Sequence, residues 1–202
     1  MNKLYSFLSN RYFGITEKVM GLVIPLGRKK FSRLSPGLVE KEGKLGDLKA
    51  GEEGAIIGSG PLPFTAVLFV QCFDVFLYSV DKSVTACAIA KRFLKKCFSN
   101  EKVTVVNTRG EHFDKEVDFA FLTLCAAPKT KLIESLFQKH GEKDGFRVIA
   151  RVPAGVHRKR FDDIDRLKLE DRYHIEELFH HTDCVFKTVL VTRKNALGFN
   201  FI

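Results

Sequence analysis

Two features of the sequence, 21 positions apart, have the residue types of a nucleotide-binding site. Gly58-Ser59-Gly60 follows a short apolar run, and Asp81 ends the next one. Glycines at a strand-to-helix turn let the backbone approach a ligand closely, and an acid about 20 residues further on can hydrogen-bond ribose hydroxyls. The combination predicts a site for an adenosine-containing cofactor. The alternative is an ordinary strand-to-helix turn in which Asp81 caps a helix.

The residues after the glycine turn narrow the class of cofactor. Gly60 is followed by Pro61-Leu62-Pro63, and the two prolines lack the backbone N–H groups that a pyrophosphate would need. The sequence therefore favours a cofactor without phosphates over NAD. S-adenosylmethionine (SAM) fits, because it offers a ribose to Asp81 and carries an adenine and a zwitterionic methionine part.

Other side chains have the chemistry of an acceptor site. Glu40 and Glu42 are carboxylates in a predicted helix, and Arg151, placed just beyond a strand end, can bind a carboxylate. His157 lies in a basic segment that can face a substrate. The alternatives are carboxylates on a solvated helix face, a surface ion pair and a solvated loop.

Histidine and cysteine form no metal or nucleophile motif in this sequence. His180 and His181 are adjacent, so in an extended chain they point to opposite faces, and we expect no metal site. Cys125 has no evident His or Asp partner, which favours a role in lining a pocket over nucleophilic catalysis. We expect the cysteines to be reduced thiols of a cytoplasmic protein.

The elements that must position these residues alternate between strands and helices. Strands are predicted at 55–57, 75–80, 103–106, 117–124, 146–150, 174–179 and 185–193. Helices are predicted up to about residue 72 and at 84–98 and 131–140. Alternation predicts a mainly parallel α/β sheet, and the last two strands predict an antiparallel hairpin. This is the arrangement of class I SAM-dependent enzymes, a Rossmann-like sheet.

The N-terminal quarter differs from the rest in charge. The chain has a formal net charge of +9, and the first 50 residues hold ten Lys and Arg against four acids, so six of the nine charges lie there. We predict a small helical cap over 1–48, with helices near 4–12, near 19–26 and after Ser35-Pro36, and a SAM-binding domain over 49–202. The charge favours an anionic partner.

Composition and segment lengths exclude several classes of protein. Hydrophobic residues make up 45% and charged residues 28% of the chain, which excludes a disordered or collagen-like protein. No apolar run approaches the roughly 18 residues that cross a bilayer, and the first residues do not resemble a signal peptide.

The positive charge favours a small anionic partner with several carboxylates over nucleic acid. Nucleic acid remains an alternative, because the run Arg28-Lys29-Lys30 could contact phosphates.

Several segments resemble the nicotianamine synthase family, over residues 50–195. Residues 58–65 read GSGPLPFT, like the family's GSGPLPxT segment, and residues 79–83 read SVDKS, like its DxDxS strand end. Residues 179–186, FHHTDCVF, and 189–194, VLVTRK, resemble its FHPTDEVINSVVIARK ending. Weaker matches are residues 122–126 and Arg151 with Gly155.

The resemblance implies transfer of the 3-amino-3-carboxypropyl group of SAM to an amine, with release of methylthioadenosine. Bacterial relatives of the family make opine-type metallophores, which implies an amino-acid acceptor. The SAM-binding residues that we assign are Gly58, Ser59, Gly60, Pro61, Leu62, Pro63, Thr65, Asp81, Lys82, Ser83, Leu124 and Cys125. Glu40 and Glu42 are the candidate catalytic residues, and Arg151 and His157 the candidate substrate-binding residues.

The chain departs from the family in two places. Its N-terminal region is short and carries Lys, Phe and Arg where the family has tyrosines, and Ala154 stands where the family's LRSAHG segment has histidine. The acceptor and the number of transfers therefore stay open. The alternatives are a SAM-dependent methyltransferase acting on a small molecule or RNA, and a non-catalytic SAM-binding module. A homodimer is compatible with the sequence.

Overall fold

The computed structural model describes residues 36–98, 101–180, 182 and 185–194. The strands are β1 (Glu53–Ile57), β2 (Phe76–Asp81), β3 (Val103–Asn107), β4 (Phe119–Leu122), β5 (Arg147–Pro153), β6 (Tyr173–Phe179) and β7 (Val185–Arg193). The helices are α1 (Pro36–Leu45), α2 (Phe64–Phe73), α3 (Val84–Cys97), α4 (Lys129–His140) and α5 (Arg166–Glu170). The predicted helices near 4–12 and 19–26, and the basic run at 28–30, lie outside the described residues.

The seven strands form one sheet in the order β3-β2-β1-β4-β5-β7-β6. Strands β1 to β5 are parallel to one another, and β7 is antiparallel to both β5 and β6. The predicted parallel sheet with a C-terminal antiparallel hairpin is confirmed. Strand order reverses between β1 and β4, and in open α/β sheets ligands bind in the crevice at this point, at the carboxyl ends of the strands.

Apolar side chains fill both faces of the sheet, which explains why its strands read as continuous apolar runs. Ile56, Phe121 and Ile149 pack with Phe69 of α2 and Val39 of α1 on one face. The opposite face packs against α4, and its residues include Ile57, Leu122, Val148, Leu132 and Leu136. No helix in the described part of the chain is long and apolar enough to span a membrane.

The carboxyl ends of β4 and β5 differ from the prediction by two and three residues. Strand β4 ends at Leu122, because Thr123 leaves the sheet and uses its amide and hydroxyl to bind the carbonyls of Ile57 and Gly58. Strand β5 continues to Pro153, because β7 supplies antiparallel partners along that length. Arg151 therefore lies inside β5, and the prediction that it stands beyond the strand end is wrong.

Candidate active site

The glycine turn after β1 has a backbone conformation that favours glycine. Gly58 and Gly60 have φ values of +73° and +68°, a region that other residues enter only at a cost. The amides of Gly58 and Ser59 both donate to the carbonyl of Val80, at 2.9 and 3.1 Å. A Cβ on Gly58 would lie 3.0 Å from the backbone nitrogen of Ala126. The turn is thus held between β2 and the segment after β4.

Asp81 joins the glycine turn to the turn before α3. Its Oδ2 accepts a 2.9 Å hydrogen bond from the Gly60 amide, and its Oδ1 accepts one of 2.9 Å from the Ser83 amide. The Ser83 hydroxyl accepts from the Ala86 amide. Ser83, and not Asp81, is therefore the N-cap of α3, and each carboxylate oxygen of Asp81 keeps acceptor capacity for a ligand hydroxyl.

The remaining residues assigned to SAM surround this turn. Pro61 and Leu62 are half-buried, and Pro63 is buried immediately before α2. The hydroxyl of Ser79 donates to that of Ser59 at 2.8 Å, which ties the turn to β2. Lys82 is exposed.

The segment after β4 forms the opposite side of the crevice. The Thr123 hydroxyl donates to the Gly58 carbonyl at 2.7 Å, Leu124 is half-buried, and the Cys125 thiol is exposed. The buried Lys129 ammonium donates to the carbonyls of Leu124 at 3.1 Å and Asp162 at 2.7 Å. Burial lowers the pKa of Lys129. This lysine links the segment after β4 to the segment after β5.

A buried ion pair connects α1 to β5. Arg151 donates to both carboxylate oxygens of Glu42, at 2.7 Å from Nε and 2.6 Å from Nη2. The two side chains are 4% and 0% exposed. Arg151 Nη1 donates to the Thr65 hydroxyl at 3.2 Å, and its guanidinium lies over the ring of Phe121. Glu42 thus occupies the carboxylate-binding face of Arg151.

Hydrogen bonds connect this ion pair to the C-terminal hairpin of β6 and β7. Thr188, the register partner of Arg151, donates its hydroxyl proton to Glu42 Oε1 at 2.8 Å. Thr188 Oγ1 also lies 2.8 Å from Nε2 of the half-buried His180. Burial lowers the pKa of His180; the charges of Arg151 and Lys41 act in the same direction, and that of Glu42 opposes them. The neutral form of His180 is therefore favoured.

Glu40 and His157 lie apart from this cluster. Glu40 is exposed and accepts a 2.7 Å hydrogen bond from Lys44, which lowers the pKa of Glu40. Of the two candidate carboxylates on α1, Glu42 is therefore the one beside Arg151. His157 is half-buried in a short 3-10 turn (Gly155–Lys159), with its ring stacked on Phe161.

Sequence reasoning missed Thr188, Thr123 and Lys129, and it considered His180 only as half of a metal pair. The predicted hairpin pairs β7 with β6 but does not place Thr188 beside Arg151, which depends on the pairing of β7 with β5. Lys129 gave no signal, since an isolated lysine at a helix start is usually solvated. Among the described residues, no three His, Cys, Asp or Glu side chains group closely enough to hold a metal ion.

The crevice and the strand order define a class of protein, the class I SAM-methyltransferase-like fold. A SAM-dependent O-methyltransferase from Thermotoga maritima superposes with a TM-score of 0.62 at 16% identity, over 88% of this chain and 71% of its own. The family model described as nicotianamine synthase protein matches residues 46–198. The chain belongs to the nicotianamine synthase family.

Individual relatives are more distant in sequence. An L-histidine 2-aminobutanoyltransferase from Yersinia pestis is 26% identical over 98 residues, which are 48% of this chain and 37% of that protein. The crystal structure of MtNAS in complex with MTA and tNA gives a TM-score of 0.69 at 19% identity, over 78% of this chain and 59% of its own. A Glu-to-Gln mutant of MtNAS in complex with S-adenosylmethionine gives 0.75 at 16% identity, over 93% and 77%. The chain thus spans less than two-fifths of the curated relative.

Proposed function

We propose that this protein is a SAM-dependent transferase that moves the 3-amino-3-carboxypropyl group of SAM to a small amine and releases methylthioadenosine. The observation that carries the proposal is the bond between Gly60 and Asp81 at the crevice of a nicotianamine synthase family member. A fold of this class also serves methyl transfer, so family membership is what favours the larger group.

SAM would lie across the carboxyl ends of β2, β1 and β4. The free acceptor capacity of Asp81 suits the two ribose hydroxyls. The glycine turn lets the ligand lie close to the backbone, because no side chain stands in the way. Leu124 and Cys125 would line the other side of the pocket. Thr65, whose hydroxyl accepts from Arg151, would support the pocket from α2.

The transfer requires a neutral amine and a correctly oriented γ-carbon. The amine nitrogen attacks the carbon next to the sulfonium, the C–S bond breaks, and its electron pair leaves with sulfur to give neutral methylthioadenosine. The new N–C bond leaves a proton on nitrogen that a base must take. Because Glu42 has no exposed surface, we propose that Glu42 and Arg151 orient the acceptor end of the site.

We further propose an amino-acid acceptor and a metallophore-type product. The Yersinia pestis relative, an L-histidine 2-aminobutanoyltransferase, supports an amino-acid acceptor. The turn at 155–160 places His157 beside the exposed cations Arg158, Lys159 and Arg160 after β5. These cations suit the carboxylates of such an acceptor.

Product analysis tests the proposal. The protein is incubated with SAM and a panel of amino acids, and the nucleoside products are separated by chromatography. Methylthioadenosine that appears only with an acceptor supports the proposal, and S-adenosylhomocysteine supports a methyltransferase instead. SAM binding without either product across the panel would contradict the proposed catalysis and support a binding module.

A further inference from the structure

Hydrogen bonds connect Glu42 to Thr188 and Thr188 to His180, in addition to the ion pair of Glu42 with Arg151. Resting on the proposed function, we propose that His180 is the catalytic base that takes the proton from the attacking amine, with Thr188 and Glu42 as its positioning residues. The series runs from the buried pair toward the surface, with 2.8 Å at each of its two hydrogen bonds.

The hydrogen bonds determine which nitrogen of His180 carries the proton. The Glu42 carboxylate, paired with Arg151, can only accept, so the single hydroxyl proton of Thr188 points to Glu42 Oε1. Thr188 Oγ1 must therefore accept from His180, which places the imidazole proton on Nε2. A neutral imidazole with its proton on Nε2 has its lone pair on Nδ1. Nδ1 is thus the atom that accepts a proton.

The topology places His180 at the ligand-binding edge of the sheet. Strand β6 is antiparallel to β7, and β7 is antiparallel to β5, so the end of β6 lies at the same edge as the carboxyl ends of β5 and β1. His180 follows β6 directly and is half-buried, whereas Glu42 is fully buried. In this proposal the acceptor amine lies against the half-buried imidazole rather than against the buried carboxylate.

The charges around His180 suit this role. Arg151 and Lys41 face it with positive charge and Glu42 with negative charge, and burial disfavours the imidazolium. The neutral form of the resting imidazole is therefore favoured, and no hydrogen bond to its Nδ1 is made within the described part of the chain. After transfer the proton is on Nδ1, the Nε2–H bond to Thr188 is kept, and the ionised Glu42 stabilises the new charge. The proton then passes to solvent from the half-buried ring.

Activity measurements on three variants test the proposal. His180→Ala is expected to lower kcat by about 100-fold or more, as removal of a general base does, with an unchanged Kd for SAM. Added imidazole is expected to restore part of kcat, and the acidic limb of the pH–rate profile is expected to disappear. Thr188→Val should lower kcat with SAM affinity retained, and Thr188→Ser should recover it. His174→Gln, on the exposed face of β6, is the matched control.

The outcomes separate this proposal from the proposed function. If the wild type forms methylthioadenosine and His180→Ala keeps its kcat, or loses it without imidazole rescue and with an unchanged pH profile, the base assignment is overturned and the transfer stands. If the wild type forms no methylthioadenosine, both the proposed transfer and the assignment of His180 as its base are overturned. Nitrogen-15 NMR of the histidine rings adds a readout without turnover. Protonation of His180 at Nε2 supports the proposal, and protonation at Nδ1 overturns it.

Discussion

The backbone N–H of Gly60 donates a 2.9 Å hydrogen bond to the carboxylate of Asp81, from the turn after β1 to the end of β2. Gly60 makes this bond while its backbone is in the left-handed region, with a φ of +68°. The conformation of the turn and the position of the carboxylate therefore depend on each other. A ligand that hydrogen-bonds Asp81 also meets a turn that is already in place.

Removal of the Asp81 carboxylate should weaken SAM binding. Asp81→Ala loses the hydrogen bonds to the ribose and releases the amides of Gly60 and Ser83. Hydrogen bonds to a charged group contribute about 1.5–3 kcal/mol, so we expect Kd to rise roughly 10- to 100-fold. Titration calorimetry measures it. Glu176→Ala, an exposed carboxylate on β6, is the control. Equal affinities for the two variants would refute this placement of the ribose.

Alanine at Gly60 should affect both stability and SAM binding. Gly60 and Gly145 have φ values of +68° and +74°, and a Cβ at either would enter open space. Both substitutions should therefore cost a similar 1–2 kcal/mol, roughly, of backbone strain. Only Gly60→Ala should also raise the Kd for SAM, because it disturbs the bond to Asp81. Denaturant unfolding and calorimetry compare the two, and an equal effect on Kd would count against the turn as part of the site.

Breaking the ion pair between Glu42 and Arg151 should destabilise the fold. Arg151→Met leaves the Glu42 charge buried without its partner, and such a change costs about 3–5 kcal/mol. The double variant Glu42→Leu/Arg151→Met should lie closer to the wild type, since no charge stays buried. Lys44→Ala breaks only the exposed pair with Glu40 and should leave the free energy of unfolding unchanged. If the losses of stability from Arg151→Met alone and Glu42→Leu alone added up to that of the double variant, the coupling of the two residues would be contradicted.

His140 should make stability fall at acidic pH. It is 5% exposed, its Nε2 has no hydrogen-bond partner in the described part of the chain, and burial lowers its pKa. The unfolded chain therefore binds a proton that the folded protein resists. Stability is retained above about pH 6.5 and is lost below it, with a slope of at most about 1.4 kcal/mol per pH unit.

The variant His140→Leu isolates this effect. It should show a flatter pH dependence of the free energy of unfolding between pH 7 and 5, measured in urea at each pH. His180 contributes with the same sign and is present in both proteins, so it cancels in the difference. Parallel curves for the two proteins would contradict the assignment to His140.

The hydropathy pattern of the sequence was enough to predict the sheet, but not where β4 ends. Apolar runs between turn residues indicated the strands, and the position of Asp81 at the end of β2 predicted the carboxylate at the crevice. The end of β4 was misplaced because Leu124 continues the apolar pattern after Thr123 has already turned the chain toward Gly58. Hydrogen bonds of one side chain, rather than hydropathy, end that strand.

The contacts around Arg151 show what spacing in the sequence could not give. Glu42 is 109 residues away and reaches Arg151 only because α1 packs on the face of the sheet that carries Phe121 and Ile149. The family resemblance suggested Glu42 as a candidate base, and the predicted strand end suggested Arg151 as a residue that binds a carboxylate. Their pairing depends on the arrangement of helix, strand and hairpin, and so does the link through Thr188.

Isotope transfer from SAM tests the central claim most directly. Two samples of SAM are prepared, one with carbon-13 in the methyl group and one with carbon-13 in the amino-acid chain, and each is incubated with the protein and an acceptor. The account predicts that the chain label appears in the acceptor product, while the methyl label stays in methylthioadenosine. Methyl label in the acceptor, with the chain label left in S-adenosylhomocysteine, would contradict it.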